Sequence, residues 1–322
     1  MLYGRRRVGK TTLLNEFCKG KDTIFYSAEQ SNDKLNLEKF SARVFEFYGA
    51  FGGTPLYLQQ VEKGKSFEEN IKQAFLRVTA YLYEEPLLLL RQEVQEPGVY
   101  NAIIEAVAAG ASKAAEIATK TGEEQAKCLK YIKTLCSLGI LYKETPFGEK
   151  ESSRKTLYGI SDFVFRFWYR YVFANRTLIE TGAQEAVWKK RIEPDYNDYM
   201  GIMFEKVCRD YLLRKNSLGE LPVLFTSIGR WWGTDPASRQ QVEIDLIASD
   251  GNDYLVCECK WRNTLLEISV LNKLRQRADV FNKNRHETWY YLFSKTSFTS
   301  ALLEEAKKDG HVVLVDLEQI LR

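Results

Sequence analysis

Val242-Glu243-Ile244-Asp245-Leu246-Ile247 and, after Asp250-Gly251, Tyr254-Leu255-Val256-Cys257-Glu258-Cys259-Lys260-Trp261 decide the fold of the C-terminal third. In both runs charged and apolar residues alternate with a period of two, which is the pattern of strands with one polar and one apolar face. Asp-Gly between them is a turn signal, so the pair reads as an antiparallel hairpin. Glu243 and Asp245 then share one face, with the apolar residues of that strand opposite. Glu258 and Lys260 face away from Cys257, Cys259 and Trp261. A connecting loop of even length places Asp245, Glu258 and Lys260 on a common side.

Outward from the hairpin, the pattern predicts helices over 200–213, 265–281 and 300–308 and strands near 223–227, 289–293 and 312–315. Residues 200–322 thus read as one α/β domain. Two carboxylates on one face can hold Mg2+ or Mn2+, and a neighbouring lysine can orient water or stabilise developing phosphate charge. The competing reading is a half-exposed acidic hairpin with Lys260 as its ion-pair partner. Cys257-x-Cys259 lacks the usual zinc spacing, and with 2 histidines in the chain the two cysteines read as small core residues.

The order helix, strand, Asp strand, Glu-x-Lys strand, helix, strand resembles the restriction-endonuclease-like superfamily. That resemblance implies catalytic roles for Asp245, Glu258 and Lys260. It also implies metal ligation by Asp245 and Glu258, with Glu205 on the preceding helix joining them, and offers Gln276 as a loose further candidate.

At the other end of the chain, Gly4-Arg5-Arg6-Arg7-Val8-Gly9-Lys10-Thr11, followed by Thr12, fits G-x-x-x-x-G-K-[ST] without a mismatch. Glycines let the backbone wrap a phosphate, the following helix N-terminus supplies N–H donors, Lys10 reaches the β- and γ-phosphates, and Thr11 can ligate Mg2+. The first fifty residues read as β-loop-α-β-α, with helices over 10–19 and 35–48 and a strand over 23–27. ATP with Mg2+ is the expected ligand. Hydrolysis also needs an acidic strand end, and the lookalike Ala80-Tyr81-Leu82-Tyr83-Glu84-Glu85 has helical spacing instead.

Between these ends, 51–95 reads as a helical lid-like segment and 96–160 resembles a winged helix-turn-helix, with helices over 99–108, 112–119 and 123–138 and strands near 141–145 and 155–160. On the third helix Cys128, Leu129, Ile132, Leu135 and Cys136 gather on one face. Lys127, Lys130 and Lys133 fall on the other, while Lys150, Arg154 and Lys155 sit on the wing. These basic residues suit phosphate contact with DNA, with docking to a protein or within the chain as the competitor. The aromatic connector at 161–199 reads as a domain-packing core.

The phosphate loop, Gly52-Gly53-Thr54-Pro55, Glu85-Pro86, Ser161-Asp162 and Phe167-Trp168-Tyr169 together resemble the archaeal-type P-loop ATPase family, related to AAA and signal-transduction ATPases. In that family a leading strand precedes the loop, and a long block with the acidic strand, sensor and an arginine precedes the Gly-Gly-x-Pro segment. Here Ala50 meets Phe51 directly, so weak ATP binding and negligible turnover are expected of this chain.

The chain has 322 residues, 45% of them hydrophobic and 28% charged, a globular balance that suits several domains. A net charge of +3 does not by itself announce a nucleic-acid binder. No run approaches the roughly 20 apolar residues of a membrane span. Without a signal-peptide pattern, and with six scattered cysteines, the cytoplasm is the expected location and a membrane is not an expected partner. The fold expected is therefore multidomain α/β: a partial P-loop NTPase unit at 1–50, a helical winged-helix region and a restriction-endonuclease-like C-terminal domain.

Overall fold

The computed structural model describes residues 33–151, 153–281 and 287–321, with side chains from residue 42 onward. The phosphate-loop residues 4–12 and the strand and helix expected around them lie outside the described residues.

Helix α1 (Asp33–Phe51) is followed by a helical body: α2 (Pro55–Leu58), α3 (Phe67–Phe75) and α4 (Tyr81–Glu93). A reciprocal capping box starts α3: Ser66 Oγ accepts the Glu69 N–H, and the Glu69 carboxylate accepts the Ser66 N–H at 2.7 Å. The segment with Glu84 and Glu85 is helical, as its spacing requires, and α4 buries Leu82, Tyr83, Pro86 and Leu90.

Next come α5 (Pro97–Ala108), α6 (Ala114–Thr121) and α7 (Gln125–Ser137), and then an antiparallel hairpin of β1 (Leu141–Glu144) and β2 (Leu157–Ile160). Gly122 closes α6 with φ of 71°, a conformation that glycine adopts without the steric cost of a Cβ. The buried face of α7 holds Cys128, Ile132 and Leu135. Leu129, expected with them, is exposed. It lies about 100° around the helix from Cys128, outside the narrow stripe that the short bundle can cover.

The aromatic connector is helical with two wide turns: α8 (Phe163–Phe167) runs into a π-turn at Trp168–Val172 and a 3-10 turn at Phe173–Asn175. After α9 (Arg176–Glu180) and α10 (Gln184–Val187), a second π-turn at Trp188–Ile192 leads into the long α11 (Glu193–Ser217). Phe163, Phe165, Phe167, Trp168, Tyr169 and Tyr171 are all buried. Helix α11 packs against α1 so closely that Tyr199 Oη donates to the Gly49 carbonyl at 2.7 Å.

The last third holds β3 (Ser227–Thr234), β4 (Gln241–Ser249), β5 (Tyr254–Lys260), α12 (Ile268–Phe281), β6 (Thr288–Ser294), α13 (Ser300–Lys308), β7 (Val312–Asp316) and α14 (Leu317–Leu321). The five strands form one mixed sheet in the order β3-β4-β5-β6-β7, antiparallel at first and parallel from β5 onward. Ile244, Ile247, Val256 and Leu292 face a core with Leu271, Leu274 and Leu302 of α12 and α13. Leu246, Ala248, Leu255, Cys257 and Cys259 face the larger core that includes α11. β5, expected to have one polar face, is instead buried on both faces, which accounts for the apolar run Leu255–Cys257 and for the burial of Glu258; β6 is buried likewise at Tyr291–Ser294.

Two expectations need correction. The strand expected near 223–227 begins where that range ends and continues to Thr234, because Gly229 and Gly233 interrupt the apolar pattern of Trp231 and Trp232. Strict alternation also fails on β4: Gly229 pairs with Ile247 and Trp231 with Ile244, so two steps on β3 span three on β4. This bulge turns Ile244 and Ile247 toward the same core and puts Asp245 in the irregular stretch between them. Among the described residues, no helix is long and apolar enough to cross a membrane.

Candidate functional site

The hairpin that the sequence singles out splays apart at its functional end. Pairing of β4 with β5 stops at Leu246 and Cys257, one residue short of Asp245 and Glu258. In the gap, one Asp245 carboxylate oxygen accepts the Cys259 N–H at 2.8 Å and lies 3.3 Å from Lys260 Nζ. The same ammonium lies 2.6 Å from Glu258 Oε1. Asp245 and Glu258 are only 6% and 3% exposed, so the structure brings two buried carboxylates onto one lysine. These groups do not form the exposed acidic face that a half-solvated hairpin would show.

Arg277, on the inner side of α12, closes the cluster with Nη1 at 2.8 and 3.1 Å from the two Glu258 oxygens. Gln276 is exposed and does not reach the site. One residue along a helix is a rotation of about 100°, which is enough to exchange solvent for the sheet. Burial raises the Glu258 pKa, and the nearby Asp245 charge raises it further. For Lys260 burial pulls downward, but Asp245 and Glu258 outweigh it and hold the ammonium pKa above its ordinary value.

Glu205 approaches Asp245 from α11, across an open cleft of about 450 Å3 lined also by Tyr142, Glu144, Arg209 and Arg230. Its carboxyl is pushed up to about 8, first by burial and then by the Asp245 charge. Glu205 and Asp245 thus interact, whereas Glu258 and Lys260 do not line that cleft. Among the described residues, no set of three His, Cys, Asp or Glu side chains is arranged to hold a metal ion. Asp245 and Glu258 remain an all-oxygen pair suited to Mg2+, which commonly takes one or two carboxylates and keeps several waters.

Behind the cluster Cys208, Cys257 and Cys259 are buried free thiols in the core. The basic residues expected on the winged-helix segment lie apart from the cleft: none of Lys127, Lys130, Lys133, Lys150, Arg154 or Lys155 lines it. Lys127 pairs with Glu123 at 2.9 Å, and Lys155 with Glu149 at 2.8 Å. Instead, the wing hairpin covers the cleft itself through Tyr142 and Glu144 of β1, and its loop joins the sheet edge through the Phe147 N–H, which donates to the Arg230 carbonyl at 2.8 Å.

Fold and site define an α/β protein in which a helical body and a hairpin flank a mixed sheet carrying a buried carboxylate–lysine cluster. Residues 168–277 match a family described as "DUF234: Archaea bacterial proteins of unknown function", a stretch that includes Glu205, Asp245, Glu258, Lys260 and Arg277. The chain is also 32% identical over 277 residues to the "Uncharacterized protein MJECL04" of Methanocaldococcus jannaschii, covering 85% of this chain and 59% of the relative. It therefore spans less than two thirds of that relative's length. No solved structure matches.

Proposed function

We propose that the C-terminal domain is restriction-endonuclease-like and cleaves phosphodiester bonds of DNA with Mg2+ or Mn2+, in a P-loop ATPase-family protein that binds ATP. The observation that carries the nuclease reading is the burial of Asp245 and Glu258 around the Lys260 ammonium, with Arg277 on the far side of Glu258. Removing two carboxylates from water costs several kcal/mol per ion even after relaxation. Apolar packing serves stability at least as well as buried ion pairs do in many cores, so a buried, pKa-perturbed carboxylate cluster beside a cleft supports a functional site.

Asp245 and Glu258 would hold the divalent ion, with Glu205 next to Asp245. When bound, the ion supplies Lewis-acid stabilisation of phosphoryl charge and lowers the pKa of water. Lys260 would orient water and offer positive charge to the phosphate, and Arg277 holds the Glu258 carboxylate in place. Purified protein incubated with plasmid and linear DNA in Mg2+ or Mn2+ is expected to nick or cut. Asp245→Ala and Lys260→Ala are expected to lower the rate by at least about 100-fold, the usual scale for losing one electrostatic or acid–base group. Equal nicking by wild type and both variants would mean a contaminating nuclease and would defeat the reading.

ATP binding rests on the motif Gly4–Thr11, with Lys10 and Thr11 on the phosphates and Mg2+. A fluorescent ATP analogue is expected to bind wild type more tightly than Lys10→Ala.

A further inference from the structure

The cleft beside Asp245 continues past Arg230 into a second cavity of about 250 Å3 under the wing hairpin, and the two share Tyr142, Glu144, Ile160, Ile202 and Arg230. Carboxylates Glu205 and Asp245 stand at one end, and Arg166 and Arg170 at the other. The arginines differ in how fully they are used. Arg170 is committed to Asp195 through two bonds of 2.7 Å. Arg230 spends one guanidinium nitrogen on Glu243 at 2.6 Å, but its Nε is buried without a partner. Arg166 lies with its guanidinium 4.8 Å from the centre of the Tyr199 ring, forms no ion pair with a described residue, and buries Nη1 without a partner. Two buried N–H donors on two arginines, both lining one cavity, are an unmet demand for an acceptor, and guanidinium favours the oxygens of phosphate.

We infer that Arg166 and Arg230, with Tyr142 between them, form a phosphate subsite that grips a nucleic-acid strand next to the carboxylate cluster. The inference rests on the nuclease reading for its orientation along the cleft, though not for binding itself. Glu144 faces the same space. Burial raises its pKa against the pull of Arg230 and Arg209. Gly159 leaves room for the Tyr142 ring, since a Cβ there would come within 2.5 Å of it.

The test is anisotropy of a labelled, 5′-phosphorylated single-stranded oligonucleotide in EDTA, where metal-dependent cleavage is silent. Arg166→Gln is expected to weaken binding at least about tenfold, and Arg166→Lys to restore part of it, because charge-assisted bonds carry the affinity. Lys308→Gln, an exposed charge on α13 away from the cleft, is expected to leave it unchanged. Matching thermal melts for the Arg166 variants exclude unfolding as the cause. Equal binding by wild type and Arg166→Gln would overturn the subsite. Inorganic phosphate that competes at the same concentration as the oligonucleotide would overturn its assignment to a strand. A protein that binds in this arginine-dependent way but never cuts in Mg2+ or Mn2+ would keep the subsite and defeat the nuclease reading instead.

Discussion

Glu205 accepts no hydrogen bond from a described residue and has its pKa pushed up to about 8 by burial and by Asp245. The unfolded chain releases this proton near the ordinary value of 4.5, so between 4.5 and about 8 the folded state holds a proton that the unfolded state has lost. Stability from this group therefore falls as pH rises through that window and is lowest above it. In EDTA, Glu205→Gln is expected to match the wild-type Tm near pH 4 and to exceed it by a few degrees at pH 9, with each kcal/mol worth roughly 2–4 °C in a protein of this size class. A difference that does not grow with pH would show that the carboxyl is well solvated. Glu258 and Lys260 were legible as neighbours because side-chain alternation is local to a strand, whereas Asp245 reaches Lys260 from the irregular stretch of β4. Arg166, Arg230, Arg277 and Tyr142 were not, since they come from four separate elements and only the fold brings them to the cleft and the cluster.

At the scale of elements, the α1–α11 crossing shows how little space holds the site in place. A Cβ built on Gly49 would lie 2.5 Å from Met200 Sδ and 3.2 Å from Tyr196 Oη, and Met200 is fully buried. Alanine improves helix propensity over glycine by about 0.8–1 kcal/mol, but overpacking a tight core costs typically 1–3 kcal/mol. Gly49→Ala is therefore expected to destabilise the protein, read as a lower urea midpoint with an unchanged slope. A raised midpoint would mean that the helices separate without cost. Helix and hairpin positions could be read from periodicity, as with α7, α13 and the β4–β5 pair. The β4 bulge could not, because the adjacent apolar pair Leu246-Ile247 does not say which residue is the extra one, and only the pairing with β3 shows it.

For the whole molecule, α1, the second helix expected after the Gly4–Thr11 motif, is built into the body that carries the candidate site. Helix α1 packs on α8, α11 and α14, and Phe45 meets Trp261 just beyond Lys260 in an edge-to-face contact of 6.3 Å. Helix α11, held to α1 through Tyr196 and Tyr199, also carries Glu205. If ATP binds at the Gly4–Thr11 motif as proposed, any rearrangement that it imposed on α1 would have to move α11 or break those contacts, because tightly packed interfaces deform in discrete steps. Nucleotide and nucleic acid are accordingly expected to be coupled, and equilibrium coupling is reciprocal. If the ATP analogue changes oligonucleotide affinity by some factor in Mg2+ with the cleavage-silent variant Lys260→Ala, the oligonucleotide must change analogue affinity by the same factor. Coupling of about 1–3 kcal/mol, or roughly 5–150-fold, is the ordinary range. Lys10→Ala should abolish the nucleotide effect on oligonucleotide binding, whereas Gly49→Ala should reduce its size while leaving analogue binding itself intact. Independent binding of the two ligands in the Lys260→Ala protein would refute transmission through α1 and make the two ends of the chain separate modules.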